Sequence, residues 1–267
     1  MLAEVPRRIW FHWRQGHAAM PPVVRACLDS WIAANPDWDV TFVDGQSVWQ
    51  HLDRRTLPVD ALLGTSQQVY ANAIRLRLLS EHGGVWADAT TFCRRPLSEW
   101  LVGLPGQFFA FASPGPDRMM ANWFMASVEG GHLARSLSVA YAGLFERLGP
   151  LTMLDEEATA ALLAVSATTD VFLDPDLLAT RGYPYFLFHY LFAFLYRRTR
   201  RSGPPGRDCS TAGGALPPGA GTSLLAPADD AARQSLGEAD PPLHKPIWRI
   251  DPIPPGSLLH NIVRVTG

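Results

Sequence analysis

The residues best suited to chemistry lie close together, between positions 70 and 90. If this stretch begins as a helix, Asn72 and Arg75 lie one turn apart on the same face, where an amide and a guanidinium can bind an anion or a hydroxyl group. Asp88 follows a short apolar run and places a carboxylate at the end of a strand. Each residue also has an ordinary interpretation, because a helical arginine usually lies on a solvated face and an aspartate at a strand end usually forms a turn.

A second candidate group is a His-Lys pair near the end of the chain. Lysine and arginine together number 23, and Lys245 is the single lysine. Its ammonium is a compact charge suited to a diphosphate, and the imidazole of the neighbouring His244 is a common type of metal ligand. Such a pair in a loop is also ordinary protein surface, so both interpretations stay open.

Regular elements are needed to hold these residues in place. Residues 8–13 and 40–43 are predicted as short buried strands, and the segment between them has apolar residues at helical spacing. Thr65 and Gln68 form a capping-box pattern for a helix that runs to about Glu81, after which Gly83 and Gly84 lead into a strand at 85–90. Further strands are predicted at 108–112 and 171–173, and further helices at 133–148 and from 155 onward.

The alternation of strands and helices predicts an α/β fold, with a mostly parallel central sheet that helices cover on both faces. Ligands of such sheets bind at the carboxyl ends of strands, which is where Asp88 is expected. The length of 267 residues allows one large domain. Within it, residues 202–240 are rich in glycine and proline and contain no aromatic residue, so we expect a flexible loop or linker there.

Composition excludes several classes of protein. The net charge of −2 argues against a non-specific nucleic-acid binder. The 3 cysteines are far apart and form no CxxC motif, so they support neither a zinc site nor a disulfide framework and favour a reducing compartment. The first residues lack the pattern of a signal peptide. We therefore expect a cytoplasmic protein.

An aromatic stretch at 183–196 has two interpretations. It is too short to cross a bilayer, and a buried helix is the usual structure of such a run. Alternatively, it forms a surface that contacts the inner face of a membrane or a lipid-linked acceptor, together with the arginines that follow it, which are Arg197, Arg198, Arg200 and Arg201. His189 within the stretch either faces the site or lies in the core.

Several motifs resemble those of the capsular polysaccharide synthesis family of glycosyltransferases, relatives of the DXD-containing α-1,6-mannosyltransferase and clostridial-toxin type. They are Val-Pro-Arg-Arg-Ile-Trp-Phe at 5–11, the arginine-bearing helix followed by Gly-Gly-Val-Trp and Asp-Ala-Thr at 83–90, Asn-Trp-Phe-Met-Ala-Ser at 122–127, Phe-His-Tyr-Leu-Phe at 188–192, and His-Lys at 244–245. In this order they cover most of the chain outside 202–240.

The resemblance implies a GT-A-like fold with a single Rossmann-type domain over residues 1–267. It implies transfer of a hexose from a nucleotide sugar, a UDP-sugar, to a cell-surface polysaccharide or its lipid-linked precursor. Catalytic roles then fall to Arg75, Asp88 and Lys245, and donor-binding roles to Trp10, Asn72, Gly84, Asp88 and Thr90. Trp10 is either a stacking surface for the base or a core aromatic residue, and Trp13 is the second candidate for stacking.

The resemblance also implies a divalent cation, Mn²⁺ or Mg²⁺, with Asp88 and His244 as ligands. The DXD enzymes carry a second carboxylate where this chain has Thr90, and a hydroxyl is a poorer ligand for a hard cation than a carboxylate. This departure weakens the expected metal affinity and motivates a non-catalytic module that binds nucleotide sugars or glycans as an alternative. The aromatic and arginine stretch motivates a further alternative, a peripheral membrane adaptor.

Overall fold

A five-stranded sheet forms the centre of the computed structural model, which describes residues 4–101, 106–115, 118–149, 157, 182–183, 185–201, 242–245, 255 and 257. Its strands, in spatial order, are β2 (Asp39–Val43), β1 (Arg8–His12), β3 (Gly84–Asp88), β6 (Arg118–Ser127) and β5 (Phe108–Gly115). A small second sheet pairs β4 (Phe92–Cys93) with β7 (Leu243–His244).

Strand direction in the central sheet is mostly parallel. β1 runs parallel to both β2 and β3, whereas β6 is antiparallel to its neighbours β3 and β5. All strands except β6 therefore point the same way, which confirms the predicted sheet. The register pairs His12 with Asp88, so the carboxyl ends of β1 and β3 meet at one edge.

Helices cover both faces of this sheet. They are α1 (Pro22–Ala34), α2 (Val59–Leu63), α3 (Gln67–His82), α4 (Leu97–Trp100), α5 (His132–Leu148) and α6 (Leu187–Arg201). Side chains alternate between the faces of a strand, so Trp10 and Trp86 pack in one core with residues of α3, α5 and α6. Ile9 and Val85 pack in the other core with residues of α1 and α4. The predicted α/β architecture is confirmed.

Helix α3 carries two of the candidate residues, and its start differs from the prediction. Ser66, not Thr65, caps it, with Oγ accepting a hydrogen bond of 3.3 Å from the backbone N–H of Val69. Thr65 Oγ instead donates to the carbonyl of Leu62 at 2.6 Å. Either residue has a hydroxyl that can cap a helix, so only the backbone path decides between them. The helix ends at Gly83, whose φ of +62° breaks the helical path before β3.

The aromatic stretch enters α6 at Leu187, and part of it packs inward. Tyr183, Leu187, Phe188, Leu191 and Phe192 are all nearly inaccessible to solvent. Their burial confirms the core interpretation for these residues. None of the helices in the described ranges is long and apolar enough to cross a bilayer.

Three predicted elements lie wholly or mostly outside the described residues. The strand at 171–173 and the loop at 202–240 lie outside the described residues, as does the helix predicted from 155 onward apart from Glu157. The side chains of the arginines at 197–201 also lie outside them.

Candidate functional site

A cavity of about 570 Å³ opens at the carboxyl edge of β1 and β3. Its wall is built from His12, Trp13 and Arg14 after β1, Gln68, Asn72 and Arg75 on α3, Asp88 to Thr90 after β3, Arg118, Asn122 and Trp123 on β6, Tyr185, Phe186 and His189 around the start of α6, and Lys245 after β7. Because β6 runs opposite to its neighbours, its beginning reaches the edge at which β1 and β3 end.

Asp88 joins two cations at the floor of this cavity. Arg75 Nη2 donates to its Oδ1 at 2.7 Å, and Trp86 Nε1 donates to the same oxygen at 2.8 Å. Lys245 Nζ donates to Oδ2 at 3.0 Å and also to Thr90 Oγ1. A turn in which the N–H of Thr91 donates to the carbonyl of Asp88 at 2.8 Å brings Thr90 alongside. Residues 157 apart in the chain therefore form one charged cluster.

The cluster keeps Asp88 ionised. Burial acts to raise the pKa of Asp88, but the charges of Arg75 and Lys245 and the hydrogen bond from Trp86 outweigh it, so this pKa lies below its usual value. The side chain of Arg75 is only 5% exposed, whereas those of Asp88 and Lys245 are 24% and 25% exposed. Asp88 and Lys245 can therefore be reached from the cavity, and Arg75 lies behind them.

A polar chain links Arg75 to the core between α3 and α5. Arg75 Nη1 donates to the backbone carbonyl of Asn122 at 2.5 Å, and Asn122 Nδ2 donates to Asn72 Oδ1 at 3.1 Å. Asn72 Nδ2 then donates to the hydroxyl of Tyr141 at 3.4 Å. The common face of Asn72 and Arg75 follows the predicted helical spacing, and β6 supplies the group that connects them.

His12 is a buried polar group that faces the cavity from the end of β1. It is 7% exposed, and its Nε2 has no hydrogen-bond partner among the described residues. Burial, followed by the nearby charge of Arg75, lowers the pKa of His12 to about 4. The ring is thus neutral near pH 7 and has a free polar atom beside Asp88.

The described lining of the cavity carries excess positive charge. Four cationic side chains, Arg14, Arg75, Arg118 and Lys245, face a single carboxylate, Asp88. Such a concave surface attracts an anionic ligand and concentrates it at the mouth. The arrangement also supplies amide groups from Asn72 and Asn122 that can bind hydroxyl groups.

Three predicted site residues do not reach the cavity. Trp10 is fully buried, and its Nε1 donates to the carbonyl of Gly83 at 2.9 Å, so its ring has no free face for a base. The core interpretation of Trp10 is the correct one, and Trp13, the second candidate, lines the cavity instead. Gly84 lies at the opposite end of β3 from Asp88, where its lack of a side chain lets the carbonyl of Arg8 approach.

His244 is also absent from the cavity lining. It is 2% exposed in the small sheet, opposite Phe92, with its Nε2 at 3.4 Å from Arg94 Nη1. Burial, assisted by the charge of Arg94, lowers its pKa to about 4. The side chain of His244 therefore anchors β7, and the surface interpretation of the His-Lys pair does not hold for either residue.

The residues present do not fit a divalent metal. No group of three His, Cys, Asp or Glu side chains among the described residues is arranged to hold an ion. Asp88 is the single carboxylate of the described lining, and N–H donors occupy both of its oxygens. A hard cation needs several oxygen ligands. The neighbouring Thr90 Oγ1 already accepts from Lys245, and His244, the other predicted ligand, is absent from the cavity lining.

Several lining residues were not predicted as site residues from the sequence, namely His12, Arg14, Gln68, Arg118 and Asn122. His12 had a usable signal, since it lies next to the last residue of the first predicted strand, near the edge where ligands of parallel sheets bind. The sequence marks Asn122 only as the first residue of the motif at 122–127 and gives no signal for Arg118, because only the reversed direction of β6 brings the two residues to this edge.

Comparison with known proteins gives matches of limited extent. A family model described as capsular polysaccharide synthesis protein matches residues 2–146. An O-glycosyltransferase, braB, from Annulohypoxylon truncatum is 29% identical over 104 residues, which is 35% of this chain and 25% of that protein. The initiation-specific alpha-1,6-mannosyltransferase of Saccharomyces cerevisiae is 24% identical over 106 residues, which is 37% of this chain and 22% of that protein. The matched segment thus spans about a quarter of each relative.

Among solved structures, the PaToxG glycosyltransferase aligns with a TM-score of 0.39 and 12% identity. The alignment covers 74% of this chain and 75% of that one.

Proposed function

Because the chain belongs to the capsular polysaccharide synthesis protein family, we propose that it is a glycosyltransferase that moves a hexose from a UDP-sugar to a cell-surface polysaccharide or its lipid-linked precursor. The observation that carries this proposal is the charge of the cavity at the carboxyl edge of the sheet. Among the described lining residues, four cations and one carboxylate surround a space that suits an anionic ligand with several hydroxyl groups. A nucleotide sugar has this chemistry, and the α/β sheet agrees with the GT-A fold that the motifs resemble.

The donor diphosphate is assigned to the cationic floor. Lys245 and Arg75 are held there by Asp88 before any ligand binds, so little reorganisation is needed when the phosphates arrive. During transfer the bond between the sugar C1 and the phosphate oxygen breaks, and its electron pair stays with the diphosphate. The acceptor hydroxyl oxygen forms the new bond to C1, and its proton passes to an oxygen of the departing diphosphate. A fixed ammonium near the departing oxygen lowers the barrier because negative charge grows there.

Two sides of the cavity are assigned to the two substrates, one to the base of the donor and the other to the acceptor. Trp13 and Gln68 offer an aromatic surface and an amide for the base at the β1 side. Trp123, Tyr185 and Phe186 line the opposite side, and Tyr185 is 52% exposed. Sugar rings have apolar faces that pack on aromatic rings, so this second wall is assigned to the acceptor glycan.

Asp88 is a poor position for the first test. Its removal leaves Arg75 buried without a counter-charge, and an uncompensated buried charge costs about 3–5 kcal/mol of stability. Loss of activity in such a variant can then reflect unfolding. Lys245 is partly exposed, so Lys245→Ala is the better test.

We expect Lys245→Ala to weaken UDP binding by about 10- to 100-fold, because a charge-assisted contact contributes roughly 1.5–3 kcal/mol. Titration calorimetry with UDP measures the affinity, and chromatography measures UDP released from UDP-hexoses when a glycan acceptor is supplied. Arg135→Ala is the matched control, since it removes one positive charge from an exposed position on α5 outside the cavity.

The same measurements separate the alternatives. Equal UDP affinity in Lys245→Ala and wild type removes Lys245 from the donor site. Tight binding of UDP-sugars by wild type without release of UDP on any acceptor, or in its absence, favours the non-catalytic binding module.

A further inference from the structure

The carboxylate at the centre of the cavity has little capacity left for a metal ion. Asp88 Oδ1 accepts from Arg75 Nη2 at 2.7 Å and from Trp86 Nε1 at 2.8 Å, which uses both of its lone pairs. Oδ2 accepts from Lys245 Nζ at 3.0 Å. One lone pair on Oδ2 is then left for an ion, whereas a hard cation needs several oxygen ligands.

The charges around Asp88 also oppose the binding of a divalent metal ion. Arg75 and Lys245 already place two positive charges against one negative charge, so the cluster carries a net positive charge before a ligand binds. A divalent ion at ligand distance from Asp88 would be repelled by both cations at short range. The neighbouring group is the neutral hydroxyl of Thr90, which adds no compensating charge.

We propose that the ammonium of Lys245 is the resident cation of this site and takes the place of a divalent metal, so that the protein binds its nucleotide diphosphate without metal. This inference rests on the proposed function and deepens it. Asp88 then acts as a positioning residue: it is held by Arg75 from behind, it orients Lys245, and Lys245 meets the diphosphate.

Lys245 has the unused N–H donor that this role requires. An ammonium has three N–H donors. One is directed at Asp88 and one at Thr90, which leaves one for a ligand oxygen. The side chain is 25% exposed, so a ligand in the cavity can reach it.

The backbone that carries Lys245 is tied to the site by its own contacts. In β7, Leu243 and His244 pair with Cys93 and Phe92 of β4. The carbonyl of Pro242 accepts from the N–H of Arg94 at 2.9 Å. Because β4 follows the Asp88 turn directly, this pairing fixes Lys245 next to Asp88. A positioned ammonium needs no uptake of a cofactor from solution.

The first measurement needs no variant. Titration calorimetry of wild type with UDP is run in EDTA and again in excess Mn²⁺, and Mn²⁺ binding to the free protein is followed by electron paramagnetic resonance. We expect the same UDP affinity in both buffers and no Mn²⁺ bound by the free protein. UDP binding that appears only with Mn²⁺ overturns the inference and leaves the proposed function standing. Absence of UDP binding in both buffers overturns the proposed function itself.

Two variants then test whether the cation at position 245 decides the metal dependence of UDP binding. Lys245→Arg keeps a positive charge, so we expect metal-independent UDP binding that is about 10-fold weaker, because a planar fork replaces a compact ammonium. The double variant Lys245→Ala with Thr90→Asp removes the ammonium and adds a second carboxylate. We expect it to bind Mn²⁺ in the resonance experiment and to bind UDP only when Mn²⁺ is present.

Thermal melting of each variant checks that it is folded. The inference is contradicted if folded wild type binds Mn²⁺ as well as the double variant does. The wild-type measurements decide the question alone if either variant fails to fold.

Discussion

At the scale of single residues, Asp88 explains how an arginine can be buried on α3. Arg75 is almost inaccessible, and burial lowers its pKa. Its charge is compensated by Asp88, by the carbonyl of Asn122, and by the ring of Trp86, whose centroid lies 4.9 Å from the guanidinium carbon. Buried charges persist where such partners exist. The same carboxylate that orders the site therefore stabilises the packing between α3 and the sheet.

The amide of Asn72 depends on one buried hydroxyl. Tyr141 is fully buried and accepts the hydrogen bond from Asn72 Nδ2. We expect Tyr141→Phe to lower the free energy of unfolding by about 1–3 kcal/mol, because a buried donor is left without a partner. Urea unfolding measures this loss.

Tyr185→Phe is the control for this prediction, since it removes the same atom from a residue that is 52% exposed. We expect it to change stability by less than about 0.5 kcal/mol. Equal losses in the two variants would mean that the Asn72–Tyr141 contact adds nothing to stability.

At the scale of elements, the connection between α3 and β3 is set by two glycines. Gly83 and Gly84 both have positive φ, +62° and +90°. A Cβ on Gly84 would lie 2.6 Å from the carbonyl oxygen of Arg8 on β1. The close approach of β3 to β1 therefore requires glycine, and the sharp turn lets α3 pack directly against the strand that ends in Asp88.

Replacement of Gly84 by alanine tests this account. We expect Gly84→Ala to cost about 3 kcal/mol or more, since positive φ and a backbone clash act together. Gly143→Ala is the matched control, because Gly143 lies within α5 with nothing near its Cβ position. Alanine there should stabilise the protein by up to about 1 kcal/mol. Denaturant unfolding measures the free energy of unfolding of both variants. If Gly84 acts through packing, this free energy falls in Gly84→Ala and rises in Gly143→Ala, and equal changes refute that role.

Local patterns in the sequence predict these elements well. The positions of β1, β2, β3 and α5 follow from apolar spacing and turn residues, which depend on near neighbours only. The placement of Trp10 could not be derived in this way. Side-chain alternation along β1 places Trp10 on the opposite face of the sheet from its two chain neighbours. Which of the two faces α3 and α5 cover depends on packing between distant parts of the chain. This is why the stacking and core interpretations of Trp10 both stayed open at the level of the sequence.

At the scale of the whole molecule, the site depends on distant segments that meet at one sheet edge. β1 and β3 end there, β6 starts there, and the segment after β7 returns there with Lys245. Parallel order was predictable, so Asp88 was placed correctly at the edge. The reversed β6 and the pairing of β7 with β4 are long-range features, so the sequence alone predicted neither Asn122 as a neighbour of Arg75 nor the burial of His244.

Two buried histidines make the stability of the folded molecule depend on pH. Burial lowers the pKa values of His12 and His244 to about 4, whereas an exposed histidine in the unfolded chain titrates near 6.5. Between these values the unfolded state binds more protons than the folded state, so stability is fully present above 6.5 and is lost as pH falls toward 4. The pKa of Asp88 is lowered from a usual value of 3.8, so its own contribution is lost only at lower pH.

We expect the free energy of unfolding to fall between pH 7 and pH 5 by roughly 2 kcal/mol for each of these histidines. Urea unfolding at the two pH values measures the loss, and His12→Gln should reduce it by about half of the two-histidine total. His132→Gln is the control, because His132 is exposed at the start of α5 and its replacement should leave the loss as in wild type. A loss that His12→Gln does not reduce would mean that His12 is hydrated and protonated in the folded protein, and the neutral ring beside Asp88 would have to be abandoned.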